Sequence, residues 1–197
     1  MNLFGRILIA MALLALVVPA APAEMAEYKV DILHSAVMFR ITHFGISYTY
    51  GRFNEFEGVI AFDPEDRSEG RIEMTVETAS VDTNVEARDD HLRAPDYFHV
   101  EEYPEMTFVG HDWRPLEDDR YELTGVFTLL GESKEITIPV TYMGQTEGMG
   151  GEERIGFHTE FSIKRSEYGM TTDLNLVGDQ VDITIAIEAI KIEPDDD

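Results

Sequence analysis

The stretch Tyr121-Glu122-Leu123-Thr124-Gly125-Val126-Phe127-Thr128-Leu129, followed after a turn by Ile136-Thr137-Ile138-Pro139-Val140, decides the fold. Tyr121, Leu123, Gly125, Phe127 and Leu129 share one side, and Glu122, Thr124, Val126 and Thr128 take the other. A period of two puts successive side chains on opposite faces of a β-strand. Ile136, Ile138 and Val140 continue the series. Upstream, Phe56, Gly58, Ile60 and Phe62 alternate with Glu55, Glu57, Val59 and Ala61, and Ile72, Met74 and Val76 alternate with Arg71, Glu73, Thr75 and Glu77. Downstream the signal returns in Phe157, Phe161 and Ile163, and in Val181, Ile183, Ile185 and Ile187. The alternation begins at Tyr28 and amounts to about eight strands, the many-strand pattern of sandwiches and barrels.

Turn chemistry separates these runs at Asp63-Pro64 through Gly70, at Gly131-Glu132-Ser133, at Gly144 through Gly151 and at Gly178-Asp179. Short links between successive antiparallel strands favour an up-and-down meander, and closing it removes the exposed edges that invite aggregation. The expected fold is therefore all-β, an eight-stranded antiparallel up-and-down barrel. One short helix, between Val85 and Pro95 with Asn84 or Thr83 as its cap, is expected to roof one end. An eight-stranded barrel either fills with side chains or holds one small ligand, and its Phe, Ile, Leu and Met fit both. Glycine on the apolar face, as at Gly125, marks a bend, a bulge or a close approach.

At the N-terminus Arg6 precedes an apolar run from Ile7 to Val18, then Pro19 and Ala20-Ala21-Pro22-Ala23. This is the pattern of a secretory signal peptide, with Ala21 and Ala23 as the small residues before the cut. Residues 1–23 are expected to be removed, leaving Glu24 as the mature N-terminus and no membrane insertion; an uncleaved anchor is the rival reading. Residues 24–190 form the expected barrel domain and 191–197 an acidic, disordered tail. No cysteine occurs, so neither a cysteine-linked lipid anchor nor a disulfide is possible.

The chain carries 39 acidic against 15 basic residues, a formal net charge of −24. That balance disfavours nucleic acid and anionic lipid surfaces as partners. It fits a saline habitat and ordinary solubility equally. His34, His43, His91, His99, His111 and His158 never fall at metal-motif spacing. No G-x-S-x-G elbow, phosphate loop or twelve-residue calcium loop is present, so neither a metal nor a cofactor is expected.

Two blocks carry a family resemblance. The first runs Asp31-Ile32-Leu33-His34-Ser35-Ala36-Val37-Met38-Phe39-Arg40-Ile41-Thr42-His43-Phe44-Gly45, with Gly51-Arg52-Phe53 and Phe56-Glu57-Gly58 behind it. The second runs Ser80-Val81-Asp82-Thr83-Asn84, Arg88-Asp89-Asp90-His91-Leu92, Asp96-Tyr97-Phe98 and Tyr103-Pro104-Glu105-Met106-Thr107-Phe108. Leu123-Thr124-Gly125, Arg165-Ser166-Glu167-Tyr168-Gly169-Met170 and Gly178-Asp179-Gln180-Val181 support both. Over nearly all of residues 28–190 the chain resembles the YceI-like, or polyisoprenoid-binding, family. His99, where the family usually has an acid, and the glycine-rich residues 144–151 are the departures.

The resemblance implies an extended lipocalin-like barrel in the periplasm, whose apolar tunnel takes an isoprenoid or another long-chain lipid without covalent chemistry. Under that reading the tail would contact Phe39, Phe44, Phe53, Phe56, Ile60, Phe108, Phe127, Phe157 and Phe161, with Leu92, Tyr97 and Phe98 as lid. Arg88, His91 and Arg165 are the candidates for a polar head group, against the alternative that Arg88 and its acidic neighbours only stabilise the helix. Two further readings stand beside carriage. One is an enzyme acting on a lipid-like substrate through His34, His43 or Arg165; the other is an envelope interaction protein using its acidic face. A homodimer is compatible with exposed strand surface.

Overall fold

The computed structural model describes residues 25–193. The expected signal segment, residues 1–23, and the last four residues of the expected tail lie outside them. Eleven strand segments occur: β1 Ala26–Val30, β2 Ala36–His43, β3 Ser47–Phe53, β4 Phe56–Phe62, β5 Gly70–Glu77, β6 Val81–Asp82, β7 Glu105–Pro115, β8 Arg120–Leu129, β9 Glu132–Glu147, β10 Glu153–Lys164 and β11 Val177–Lys191. Among the described residues one α-helix occurs, α1 Glu86–Arg93, between β6 and β7.

The eleven segments make eight ribbons, because three ribbons are interrupted. β1 and β2 both pair antiparallel with β11, separated by residues 31–35. β4 pairs with β1 and β3 with β2, so β3 and β4 form the next ribbon, broken at Asn54-Glu55. β5 and β6 form the third, pairing with β4 and β3 respectively. From there β7, β8, β9, β10 and β11 follow in sequence order, each antiparallel to the one before. The ring closes when β11 meets β1 and β2, giving the eight-stranded meander expected from the alternation.

Three turn assignments need correction, the third being Gly131-Glu132-Ser133, of which Glu132 and Ser133 open β9. β9 runs through Gly144 to Glu147, and Gly144 (φ 124°) sits at a bulge where the register with β10 skips Met143. Glycine there serves a strand irregularity, and the turn proper is residues 148–152. Gly178 and Asp179 likewise lie inside β11, where pairing with β2 jumps from Val177 to Val181. Asp179 accepts hydrogen bonds from the N–H and the hydroxyl of Ser166, both at 2.9 Å. The β8–β9 turn is Leu130-Gly131, both at positive φ (52° and 74°), as a tight two-residue hairpin of matching twist requires.

Neither Asn84 nor Thr83 caps α1. Val85 holds the N-cap position without a side-chain bond, while Asn84 (φ 62°) turns on the Asp82 carboxylate and Thr83 is drawn to Asp89. The last strand carries through Lys191, one position past the expected barrel limit, and Ile192 N–H donates to Glu27 C=O at 2.7 Å.

Glycine on the inner wall admits protein, not ligand. A Cβ on Gly125 would lie 2.5 Å from Val109 C=O and 2.7 Å from Gly110 Cα, and these backbone atoms cannot yield without opening the β7–β8 pair. Gly125→Ala is expected to cost about 1–3 kcal/mol, the usual range for overpacking, read by chemical denaturation.

Outside the wall, the interruption at residues 31–35 is tied down by charge. Asp31 accepts from His34 Nδ1 at 2.8 Å, Arg154 Nη1 at 2.9 Å and Leu33 N–H at 3.0 Å. Arg154 also bonds Glu188 and Glu152. The hydrogen bond from His34, then that from Arg154, hold the Asp31 carboxyl down at about 2. A carboxylate depressed on folding stabilises fully above its unfolded value of about 3.9, and that contribution disappears as pH falls towards 2. Asp31→Asn should therefore lower the melting temperature at pH 7, and the difference from wild type should shrink between pH 4 and pH 2.

Candidate functional site: an apolar channel along the barrel axis

Side chains facing the axis form three layers. At the base, Phe62 packs against Trp113, Tyr121, Tyr142 and Phe157 with ring centroids 5.5, 6.4, 5.2 and 5.2 Å away. All five rings are buried; Trp113 Nε1 donates to Arg67 C=O at 3.3 Å and the Tyr142 hydroxyl to Gln145 Oε1 at 3.4 Å, and the buried Tyr28 close by donates its hydroxyl to Glu153. These tilted and edge-on rings plug that end of the barrel.

Above the plug the packing opens. Phe39, Ile41, Phe108, Phe161, Ile163, Ile183, Ile185 and Ile187 all belong to strands and line the void, yet each is only half-buried. In a packed core they would touch neighbours on every side; here they border a cavity of about 170 Å³ with an almost wholly apolar lining. That volume lies below the roughly 300–1,000 Å³ of sites for compact drug-sized molecules. Its lining extends from Phe157 and Ile138 at the base to Leu92 and Met170 at the roof. Along β11 it reaches from Val177 to Ile187, about 30 Å of strand at 3.3 Å per residue. The shape is a long, narrow channel.

The roof is α1 and residues 94–104. Phe98 meets Phe53 edge-on at 5.5 Å, and Tyr97 donates its hydroxyl to Asp173 Oδ2 at 3.1 Å, joining roof to the β10–β11 connection. Burial, then that bond to Asp173, raises the Tyr97 pKa. The second sequence block holds the roof in place. Buried Asp89 accepts from Thr83 N–H at 2.9 Å and from its hydroxyl, while Arg88 reaches Thr83 Oγ1 and C=O, both at 2.7 Å. Arg93 donates to Ala79 C=O at 2.8 Å and Val81 C=O at 3.0 Å.

Ten of the expected tail contacts line the channel: Phe39, Phe53, Ile60, Leu92, Tyr97, Phe98, Phe108, Phe127, Phe157 and Phe161. Two do not. Phe44 sits at positive φ (53°) in the β2–β3 turn, 57% exposed, its ring on His43 and outside the barrel. Phe56 is buried in the core of the roofed half without reaching the void. The polar candidates change more. Arg88 spends its guanidinium on Thr83, and His91 is exposed with its ring against the outer edge of Tyr97, so neither borders the channel.

Arg165 does border it, but as a clasp. It is 2% exposed and donates Nε to Gly178 C=O (2.8 Å), Nη1 to Met170 C=O (3.1 Å) and Nη2 to Val177 C=O (3.0 Å), cinching residues 165–178. Burial lowers its pKa, partly offset by Tyr97, Asp179 and Asp173. Sequence reasoning overlooked Met74, Met106, Met170, Ile163 and the β11 row Val181, Ile183, Ile185 and Ile187, all of which line the channel. The β11 alternation was visible; a preference for aromatics hid its role.

A closed antiparallel barrel of eight ribbons, plugged at one end, roofed by a helix at the other and hollow between, is a lipocalin-like architecture. The YceI-like domain model matches residues 28–189, and the chain belongs to that family. It is 36% identical to protein YceI of Salmonella arizonae over 186 residues, 93% of this chain and 97% of that one. The solved structure of Burkholderia cenocepacia BcnA superposes with a TM-score of 0.75 at 29% identity, covering 81% of this chain and 99% of BcnA. A polyisoprenoid binding domain from Saccharophagus degradans shares the fold at a TM-score of 0.65 and 16% identity, covering 86% and 100%.

Gly51 makes room for the Phe39 ring of the channel wall, and the Thr83 methyl lies 2.9 Å from where its Cβ would be. Gly51 stands opposite Phe39 across the β2–β3 pair, and a Cβ there would lie 2.3 Å from the Phe39 ring. The ring, unlike the backbone around Gly125, has void to swing into. Gly51→Ala is therefore expected to cost less stability than Gly125→Ala while weakening binding of a long-chain fluorescent probe about tenfold, some 1.4 kcal/mol.

Proposed function

We propose that this protein is a periplasmic carrier that sequesters an isoprenoid or another long apolar chain in its barrel, without covalent chemistry. The observation that carries the proposal is the half-buried apolar row facing the channel, from Phe161 and Phe39 through Ile183, Ile185 and Ile187. Void lined by such side chains is poorly hydrated, and covering it with hydrocarbon gains roughly 25 cal/mol per Å². A chain with few polar groups suits a lining that offers almost no hydrogen-bond donors. The Saccharophagus degradans domain, described as polyisoprenoid-binding, supports the same ligand class, and the N-terminal pattern supports export.

Catalysis is the weaker reading. Of the groups it would use, His34 bonds Asp31 outside the wall, His43 packs on Phe44 at the turn, and the Arg165 donors hold carbonyls. None is placed as an acid–base pair over the void.

Native mass spectrometry of protein recovered without detergent tests the proposal. The expected spectrum shows a processed chain beginning at Glu24 with a lipid-sized adduct. Ile185→Trp, which fills the mid-channel beside Val37, should remove the adduct and leave the circular dichroism of the barrel intact. Wild-type protein that carries no adduct and takes up no long-chain probe would overturn carriage, a chain retaining residues 1–23 would overturn cleavage in favour of an anchor, and recovery in the cytosolic fraction would overturn the periplasmic assignment.

A further inference from the structure

The aromatic plug seals the base, so a chain enters at the roofed end. Two loops form the rim there, and both expose apolar side chains. The β2–β3 turn carries Phe44 at 57% exposure and Ile46 at 88%; the β10–β11 connection carries Leu174 and Leu176 at 41% and 39%. They are one surface, because Phe44 N–H donates to Leu176 C=O at 2.7 Å and His43 pairs with Val177. Val177 lines the channel directly below, and Asp173 of the same loop holds the roof through Tyr97. The outer face beside the rim, on β2 and β3, is amphipathic. Tyr48 and Tyr50 are exposed, and the Arg40 guanidinium lies 4.7 Å over the Tyr48 ring. Tyr and Arg, each with an apolar body and a polar tip, are the side chains that settle at a headgroup layer.

We infer that this rim docks on a neutral, zwitterionic bilayer surface, inserting Ile46, Phe44, Leu174 and Leu176 so that the channel mouth meets the lipid from which the chain is drawn. The inference rests on the carrier reading. Three considerations select this occupant. An apolar chain crosses from membrane to channel without passing through water only if the mouth touches the membrane. A second copy is disfavoured, since self-association brings two molecules of net charge −24 together. An anionic bilayer is disfavoured for the same reason, whereas a zwitterionic one exacts no such repulsion.

The test is co-flotation of the full chain, purified after export, with phosphatidylcholine vesicles and with vesicles containing one third phosphatidylglycerol. Wild type should float with the neutral vesicles, and less with the anionic ones. Ile46→Glu should lower flotation about tenfold and slow transfer of a dansyl-labelled undecyl chain between vesicles. Its melting temperature and its equilibrium uptake of the same probe from solution should match wild type. Wild type that stays unbound, or Ile46→Glu floating equally well, overturns the docking inference. So does sedimentation showing a wild-type dimer that Ile46→Glu dissociates. Failure of wild type to take up probe from solution overturns the carrier reading instead, which separates the two outcomes.

Discussion

The barrel depends on β11 being bonded along both edges. One edge pairs with β10 over eleven positions without a break, from Arg154 opposite Ile190 to Lys164 opposite Gln180. The other is shared, with β1 near its end and β2 along the rest. That second pairing turns a meander into a ring, although β9 and β10 part beyond Thr141 and His158 and leave that stretch of each strand bonded on one side only. It also fixes which faces look inward, since a one-residue slip would carry Ile183, Ile185 and Ile187 to the solvent side. The charge cluster of Asp31, His34, Arg154 and Glu188 sits where β1 gives way to β2, bracing the shared edge where it passes from one strand to the other.

Along the axis the same alternating wall does three different jobs. Aromatic rings large enough to meet across the base close it. In the middle, branched aliphatic residues and three phenyl rings fall short of one another and leave a void. At the top no strand residue is asked to close the barrel, and a separately anchored helix and loop do so. Arginine is used at the top as a clasp. Arg93 and Arg165 each gather backbone carbonyls from separate segments, Ala79 and Val81 for the first, Met170, Val177 and Gly178 for the second. Such a roof is joined to the far loop by a single side-chain bond, Tyr97 to Asp173, which places the weakest seam at the entrance.

Much of this was legible in the sequence because period two is a backbone property that tertiary context seldom overrides. Tyr121 through Leu129 reads as a strand and is one, with the inward set as expected. The breaks in the ribbons were not legible, since residues 31–35 are set by an ion cluster assembled from residues over a hundred positions apart. Gly144 and Gly178 misled because glycine marks bulges and turns alike. At the site, ten of the twelve residues named from alternation plus resemblance lie on the channel wall, while Phe44 lies off it because a turn ends the alternation one residue earlier. Arg88 and His91 lie off the channel wall for another reason. Membership in a motif does not tell whether a residue serves the ligand or the fold, and hydrogen bonding to Thr83 settles Arg88 in favour of the fold.

The functional account reduces to the distance between facing side chains in the middle layer. The most direct measurement is a crystal structure of protein purified without detergent. The account predicts continuous elongated density running beside Ile183, Ile185 and Ile187 from Phe157 up to Leu92. Phe108 and Phe127 found closing against Ile183 and Ile185 across the axis, with no void between them, would contradict it.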